Sequence, residues 1–389
     1  MVTHTLKTNV QEWICAISLF LISGPYFVWN NGLSLLAQFV VLALFVFSPL
    51  FSKNWLTLQK NTFFPFLLLL CFYLLAAIRH SGNESGALYY AIFPIIFLSN
   101  PTILNGSYEK FIKLLAVLLI PSILFYLLIT FSHINLSYNL ITPLNAFKPG
   151  LYKQYPFLVM DDTGTSLFIS RFCGLFDEPG VIGSLAGLIL LVKNYNLKNP
   201  YLIPIFVAGI LSFSFYFYCV SAFFLIMNIK SKSIRFSIFI IAIAIFYLYQ
   251  INDLQLLIFN RFTIEDGRVV GDSRTSLYFA TWFSNFRFSK EYFLGLGSGS
   301  NLILNNGGAS YKDIIVNYGI IMFIMYIMAY IVLAFRYRNN LKHFILTSFV
   351  IISFIYQRPF ITDMFLAISF LYCIYHKSVV ITCRCYNQK

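Results

Sequence analysis

The feature that most constrains this chain is its succession of apolar runs, which recur from one end to the other and leave no polar stretch to build a sizeable soluble core. We read them at residues 13–29, 32–51, 62–78, 86–99, 111–131, 179–192, 201–212, 214–228, 236–251, 313–335, 341–356 and 359–376. A helix needs about 20 residues to cross the ~30 Å hydrocarbon layer of a bilayer. The expected fold is therefore all-α, a polytopic membrane bundle of about 12 transmembrane segments, with residues 1–389 forming one membrane domain. Composition agrees: only 11% of the residues are charged, against about 25% in a soluble domain. Met1 to Glu12 is polar and the first run lacks a clear small-residue cleavage site, so no cleavable signal is expected.

The net charge of +13 does not point to nucleic acid, because the basic residues are scattered over many short loops. Scattered loop lysines and arginines orient membrane helices. Residues 201–228 are long for one helix and short for two. Lys193 and Lys198 precede them, and Lys230, Lys232 and Arg235 follow. Two basic flanks on one side require a hairpin with its turn near Ser212-Phe213-Ser214, and its short legs suit a re-entrant pair. With that choice more than half of the 27 basic residues fall on the cytoplasmic face, joined only by Glu12 and Glu109, and both termini lie inside. Two long outer loops result, 132–178 and 252–312. Long loops in a compact chain are usually functional or disordered.

Three constellations in these loops could carry chemistry. The first is Arg171-Phe-Cys-Gly-Leu-Phe-Asp177-Glu178-Pro179-Gly180. Pro179 suits the first position of a helix and an acid before it suits the cap. From Pro179 to Val192 the helix would measure about 21 Å, so it would start below the outer surface and hold Asp177 and Glu178 in a recessed, wet cavity. Two readings fit: the acids serve a polar substrate, or they cap the helix and pair with Arg171. The second constellation is the arginine series Arg261, Arg268, Arg274 and Arg287, with Lys290 and Asp272. A guanidinium can grip a phosphate through two parallel hydrogen bonds. We take Arg268 and Arg274 as the anion candidates and Arg261 and Asp272 as substrate-binding. Arg287 and Lys290 read as solvated charges balanced by the loop's own acids. The third is Gly295-Leu-Gly297-Ser-Gly299, leading to Tyr311-Lys312-Asp313 and Asn317-Tyr-Gly319. A glycine-rich turn permits close backbone approach to a ligand, or forms a plain re-entry loop. Tyr311 and Asn317 are candidate substrate contacts. Asp363 sits inside a late run, about one turn from Arg358, and reads as half of a structural ion pair.

No HExxH, Walker loop, nucleophile elbow or paired CxxC is present, and the five histidines are dispersed. Cys383-x-Cys385 is an isolated pair in a basic tail. No metal and no cofactor is expected.

These residues resemble a known family. The chain is similar to the Wzy-type O-antigen and capsule polymerases, within the wider set of polysaccharide polymerases and O-antigen ligases. Arg171-x-x-Gly-x-Phe-x-Glu-Pro-Gly180, the helical hairpin after it, Asp272-x-Arg274, Gly295-x-Gly-x-Gly299 and Ile314-Ile-Val-Asn-Tyr-Gly-Ile-Ile321 carry the likeness. Some members have an arginine followed eleven residues later by glycine in both large loops, whereas this chain has Ile182 and Ser298 there. The ligase branch typically carries a histidine before the late Tyr-Gly-Ile segment, and residues 300–318 contain none.

The resemblance implies a metal-independent, inverting glycosyltransferase of the bacterial inner membrane, with its site on the periplasmic face. The donor would be a glycan on undecaprenyl diphosphate and the acceptor the non-reducing end of a new lipid-linked repeat unit. Glu178, Arg171 and Arg274 would be catalytic. A flippase and a chain-length regulator of the same pathway would be partners. The alternatives are an O-antigen ligase and, from another class, a polysaccharide flippase. Transporters hold polar residues near the bilayer midplane, whereas the charges here gather in two outer loops.

Overall fold

Proline and glycine punctuate the apolar runs, and in the computed structural model prolines open the helices that start at Pro101 and Pro179, while Gly24-Pro25 and Gly295 stop two others. The structure describes residues 2–28, 33, 36, 39–40, 60–79, 101–132, 134, 136–142, 151–161, 170–228, 264–265, 268–269, 277–297, 300, 311–357 and 364–386. These are mostly helical. In chain order the helices are α1 (Val2–Ile22), α2 (Lys60–Arg79), α3 (Pro101–Phe131), α4 (Pro179–Val192), α5 (Leu202–Leu211), α6 (Phe215–Met227), α7 (Leu277–Phe286), α8 (Glu291–Leu294), α9 (Tyr311–Arg336), α10 (Leu341–Gln357) and α11 (Met364–Tyr386). The strands are β1 (Asn139–Ile141), β2 (Tyr152–Tyr155), β3 (Leu158–Asp161), β4 (Ile264–Glu265) and β5 (Arg268–Val269).

Two of the helices, α3 and α9, are long and apolar enough to cross a membrane. Both turn large apolar side chains outward along their length, with Lys113 of α3 and Arg336 at the end of α9 also exposed. On α3, Tyr108, Phe111, Leu115, Leu119 and Tyr126 are buried while Val117, Ile120, Leu124 and Leu128 are exposed. On α9, Tyr326, Tyr330 and Leu333 are buried while Ile321, Ile324, Met328 and Phe335 are exposed.

Several helix bounds differ from those expected. Helix α1 starts at Val2 instead of near residue 13 and stops at Ile22 instead of 29, because Gly24 turns to φ 77° and Pro25 follows. A proline cannot supply the next helical N–H. Helix α3 extends back to Pro101, which opens it as an N-terminal proline does. Helix α11 begins at Met364 and runs on to Tyr386. The expected runs 86–99 and 236–251, and most of 32–51, lie outside the described residues, as do Arg358 and Asp363.

The chain divides into two compact units. One comprises residues 1–15, 38–108 and 273–389. In it α9 packs on α2 through Phe72, whose ring lies 4.9 Å from Tyr326 and 6.0 Å from Tyr318. Tyr330 meets Phe370 of α11 edge-on, and Phe370 in turn meets Phe354 of α10. Tyr108 stacks on Tyr372 at 4.0 Å and donates to Ser369 Oγ at 2.9 Å, so a buried hydroxyl is satisfied.

The other unit comprises residues 16–37 and 109–272. At its centre is α4, nearly every residue of which is buried, packed on both α5 and α6. The turn joining α5 to α6 is at Ser212–Ser214, where the charge pattern requires it. Within the first large loop, β1, β2 and β3 form a small antiparallel sheet in the order of the chain. Of the described part of the second loop, the β4–β5 pairing, with Glu265 and Arg268 in register, belongs to this unit, and helices α7 and α8 belong to the first.

Candidate functional site

The Arg171–Gly180 segment is a strap held from several sides by its backbone. Tyr126 Oη donates to Ser170 O at 2.6 Å, and Phe172 N donates to Leu211 O at 3.0 Å. Val159 N of β3 and Tyr26 N donate to Gly174 O and Leu175 O, each at 2.8 Å. Tyr152 Oη of β2 donates to Asp177 O at 2.8 Å. Phe172, Cys173, Leu175 and Phe176 are all buried. The strap therefore delivers Asp177 and Glu178, both half-buried, to a fixed place at the mouth of α4.

Glu178 is the N-cap of α4, with extended backbone (φ −141°, ψ 140°) and Pro179 next to it. Its side chain makes no capping hydrogen bond. The backbone half of the capping reading is right, but the carboxylate does not spend itself on the helix end.

Arg171 reaches the hairpin turn. Its Nε donates to Ser212 O at 3.2 Å and its Nη2 to Phe213 O at 3.3 Å. The turn needs such donors, because the last carbonyls of α5 have no helical partner. It is also internally tied: Ser212 Oγ donates to Gly209 O at 2.7 Å and accepts from Ser214 N at 3.2 Å. Phe213 is forced to φ 46°. Helix α4 lies directly on this turn at Gly183, where a Cβ would overlap Ser214 Cβ and fall 2.7 Å from Ser212 Oγ. Sequence reading located the turn but not its partners. The signal was present as Gly183, a small residue one turn inside the helix that follows Pro179.

At the opposite end of α4, Lys193 pairs with Glu109 and Lys113 lies 5.7 Å over the ring of Tyr201. Burial pushes the Lys193 ammonium below its ordinary range, with Glu109 opposing the shift. Burial also pushes the Tyr195 hydroxyl up to about 12, against its hydrogen bond with Ser221.

In the other unit, the glycine-rich turn and the start of α9 are one construction. Helix α9 is broken at Gly319 (φ 85°, ψ 161°). The break leaves the carbonyls of Val316 and Asn317 without their helical donors. Leu296 N donates to Val316 O at 2.7 Å and Gly297 N to Asn317 O at 3.0 Å, filling those places. The two backbones approach so closely that a Cβ on Gly295 would lie 2.5 Å from Asn317 O, and one on Gly319 would overlap Phe293 O. One turn earlier Asp313 is buried, and the Oδ1 of Asn317 is buried without a hydrogen bond. Tyr311 is stacked on Tyr356 at 5.2 Å, and Lys312 Nζ lies 5.5 Å over the ring of Phe283.

Of the other expected site residues, Arg261, Asp272 and Arg274 lie outside the described residues, and so does the side chain of Arg268. Gly299 and the side chains of Cys383 and Cys385 do as well. Among the described residues no group of His, Cys, Asp and Glu is arranged to hold a metal ion.

No family model, curated protein or solved structure matches this chain.

Proposed function

We propose that the chain is a polymerase of lipid-linked oligosaccharide repeat units in O-antigen or capsule synthesis. The observation that carries this reading is the strap from Arg171 to Gly180. It brings a carboxylate unused by helix capping to the mouth of a helix too short to span a bilayer, above a buried hairpin turn.

A membrane setting is supported by the exposed faces of α3 and α9. They turn large apolar side chains such as Ile120, Leu124, Ile324 and Met328 outward, and leaving such side chains in water costs about 1.5–3 kcal/mol each. The geometry around α4 also favours the hairpin topology. The Ser212–Ser214 turn shares the Arg171 end of α4, while Lys193 and Glu109 share the other, as expected if the first end is periplasmic and the second cytoplasmic. On this reading the chain crosses the bacterial inner membrane about a dozen times with both termini inside.

In the proposed reaction Glu178 accepts the proton of the acceptor hydroxyl at the non-reducing end of the incoming repeat unit. That oxygen forms a bond to the anomeric carbon of the growing glycan as the bond from this carbon to the diphosphate oxygen breaks. The electron pair leaves with undecaprenyl diphosphate, and the anomeric centre inverts in one displacement. Arg274 stabilises the charge that develops on the diphosphate. Arg171 holds the hairpin turn and the strap in register, and Asp177, Arg261, Arg268, Asp272, Tyr311 and Asn317 serve as substrate contacts. A flippase of the same pathway supplies the repeat units, and a chain-length regulator acts on the product.

The test is to incubate the purified protein with a defined undecaprenyl-diphosphate-linked repeat unit and resolve the products by size. A ladder of polymer lengths is expected. Transfer of the glycan only to a lipid A core acceptor would identify a ligase instead, and no transfer to either acceptor would overturn the glycosyltransferase reading.

A further inference from the structure

We propose that the α7–α8 segment, Leu277 to Gly297, is an interfacial element that lies in the surface of the bilayer beside α9. The inference rests on the membrane reading of α9.

The position of the segment along α9 is fixed by the backbone. Gly295 crosses Gly319, and the Leu296 and Gly297 amides are bonded to the carbonyls of Val316 and Asn317. Ile320–Arg336, the part of α9 beyond the crossing, is about 26 Å long at 1.5 Å per residue. Hydrocarbon is about 30 Å thick. With Arg336 at one boundary, the crossing falls at the other, where the acyl chains give way to headgroups.

The segment has two faces. One is committed to the protein: Phe279, Phe283 and Phe286, at helical spacing on α7, pack with Ile315 and Val316 of α9. Trp282 stacks on Phe286 at 4.9 Å, and Tyr292 closes the cluster edge-on at 6.1 Å. The other side exposes large apolar side chains, with Thr281 and Asn285 of α7 among them. Phe288 is 89% exposed, Tyr278 64%, Leu294 58% and Phe293 55%. Phe288 is flanked by exposed Arg287 and Lys290, with Glu291 beside them. An apolar ridge with a basic rim, held at the depth where hydrocarbon meets headgroups, is the pattern of a segment seated in a bilayer surface. Phe288, Phe293 and Leu294 would enter the acyl boundary while Arg287 and Lys290 reach headgroup phosphates.

The experiment reconstitutes the full chain in phospholipid vesicles with a bimane probe at Phe288→Cys, Phe293→Cys or Ile324→Cys, taking the labelled parent chain as background. Nitroxide lipids then quench the probe from near the headgroup or from deep in the acyl chain. Ile324 lies exposed in the body of α9 and reports the span itself. The expected result is loss of fluorescence at Phe288 and Phe293 with the shallow nitroxide, and at Ile324 with the deep one. If Ile324 is quenched and both loop probes respond only to aqueous iodide, the interfacial assignment is overturned while the membrane reading of α9 stands. If Ile324 escapes lipid quenching, the membrane reading fails and this inference fails with it.

Discussion

Arg171 and Ser212 are 41 residues apart in the chain, and the guanidinium Nε of the first donates to the backbone carbonyl of the second at 3.2 Å. With Nη2 on Phe213 O the contact is a two-pronged clamp on the turn between α5 and α6. Lysine has no planar fork and cannot satisfy both carbonyls in this geometry. A hydrogen bond to a charged group contributes about 1.5–3 kcal/mol. Arg171→Lys should therefore destabilise the protein by about 2 kcal/mol, read as a lower thermal midpoint in detergent, with polymer formation falling alongside. An unchanged midpoint would deny the clamp any structural weight.

Glu178→Gln should behave differently. The carboxylate makes no capping hydrogen bond, so the change removes no cap, and the extended backbone and Pro179 still start α4. Under the proposed mechanism glutamine cannot accept the acceptor's proton. Turnover should drop at least about tenfold with a smaller loss of stability than in Arg171→Lys. Wild-type ladders from Glu178→Gln at normal protein level would remove this residue from the chemistry.

Gly183 and Gly187 lie one turn apart on α4 and should respond oppositely to alanine. At Gly183 a Cβ would overlap Ser214 Cβ, pushing α4 off the hairpin turn. At Gly187 the nearest atoms, on Val220 and Tyr216, are 3.6–3.7 Å away, an ordinary contact. Gly183→Ala should cost about 1–3 kcal/mol from overpacking. Gly187→Ala should be neutral or stabilising by up to about 1 kcal/mol, since alanine is the better helix former. Equal melting shifts in the two variants would contradict this packing.

Gly319→Ala should be among the most damaging single changes. Its φ of 85° with ψ 161° belongs to a region essentially reserved for glycine, and its Cβ would overlap Phe293 O. Strain alone contributes about 1–3 kcal/mol, and the clash adds to it. Protein level in membranes and the thermal midpoint should both fall, more than for Gly187→Ala.

Stability should depend on pH through Lys193. Burial lowers its folded pKa, so the folded chain binds fewer protons there than the unfolded chain. The neutral lysine is the form that folding prefers. That preference is fully expressed above the ordinary value of 10.5 and is lost as pH falls through the lower folded value. Glu109 opposes the shift, so Glu109→Gln should lower the folded pKa further and widen the window over which stability climbs with pH. Thermal midpoints of the two proteins across that window provide the check. A variant with a flatter pH profile would contradict the assigned pairing.

The long apolar helices among the described residues are legible in the sequence because a helix satisfies its own backbone and a long apolar run needs no partner to be recognised, whereas α7 and α8 fall in a stretch that reads as loop. Residues 179–192 and the turn at Ser212–Ser214 were read from proline placement and from lysines on both flanks. Val2–Ile22 was misread at both ends because its first half is polar and the Gly24-Pro25 stop was passed over. What only the tertiary structure decided is which irregular segments complete one another. Sequence shows glycines at 295, 297 and 319, but not that two backbones cross there so that amides of one fill the carbonyls freed by the break in the other. It shows Arg171 beside two acids, but not that the guanidinium spans to Ser212 and Phe213. A run of apolar residues carries its own instruction, since water drives it out wherever it stands. A broken helix or a buried turn carries only unsatisfied donors and acceptors, and the groups that satisfy them come from wherever the folded chain happens to pass.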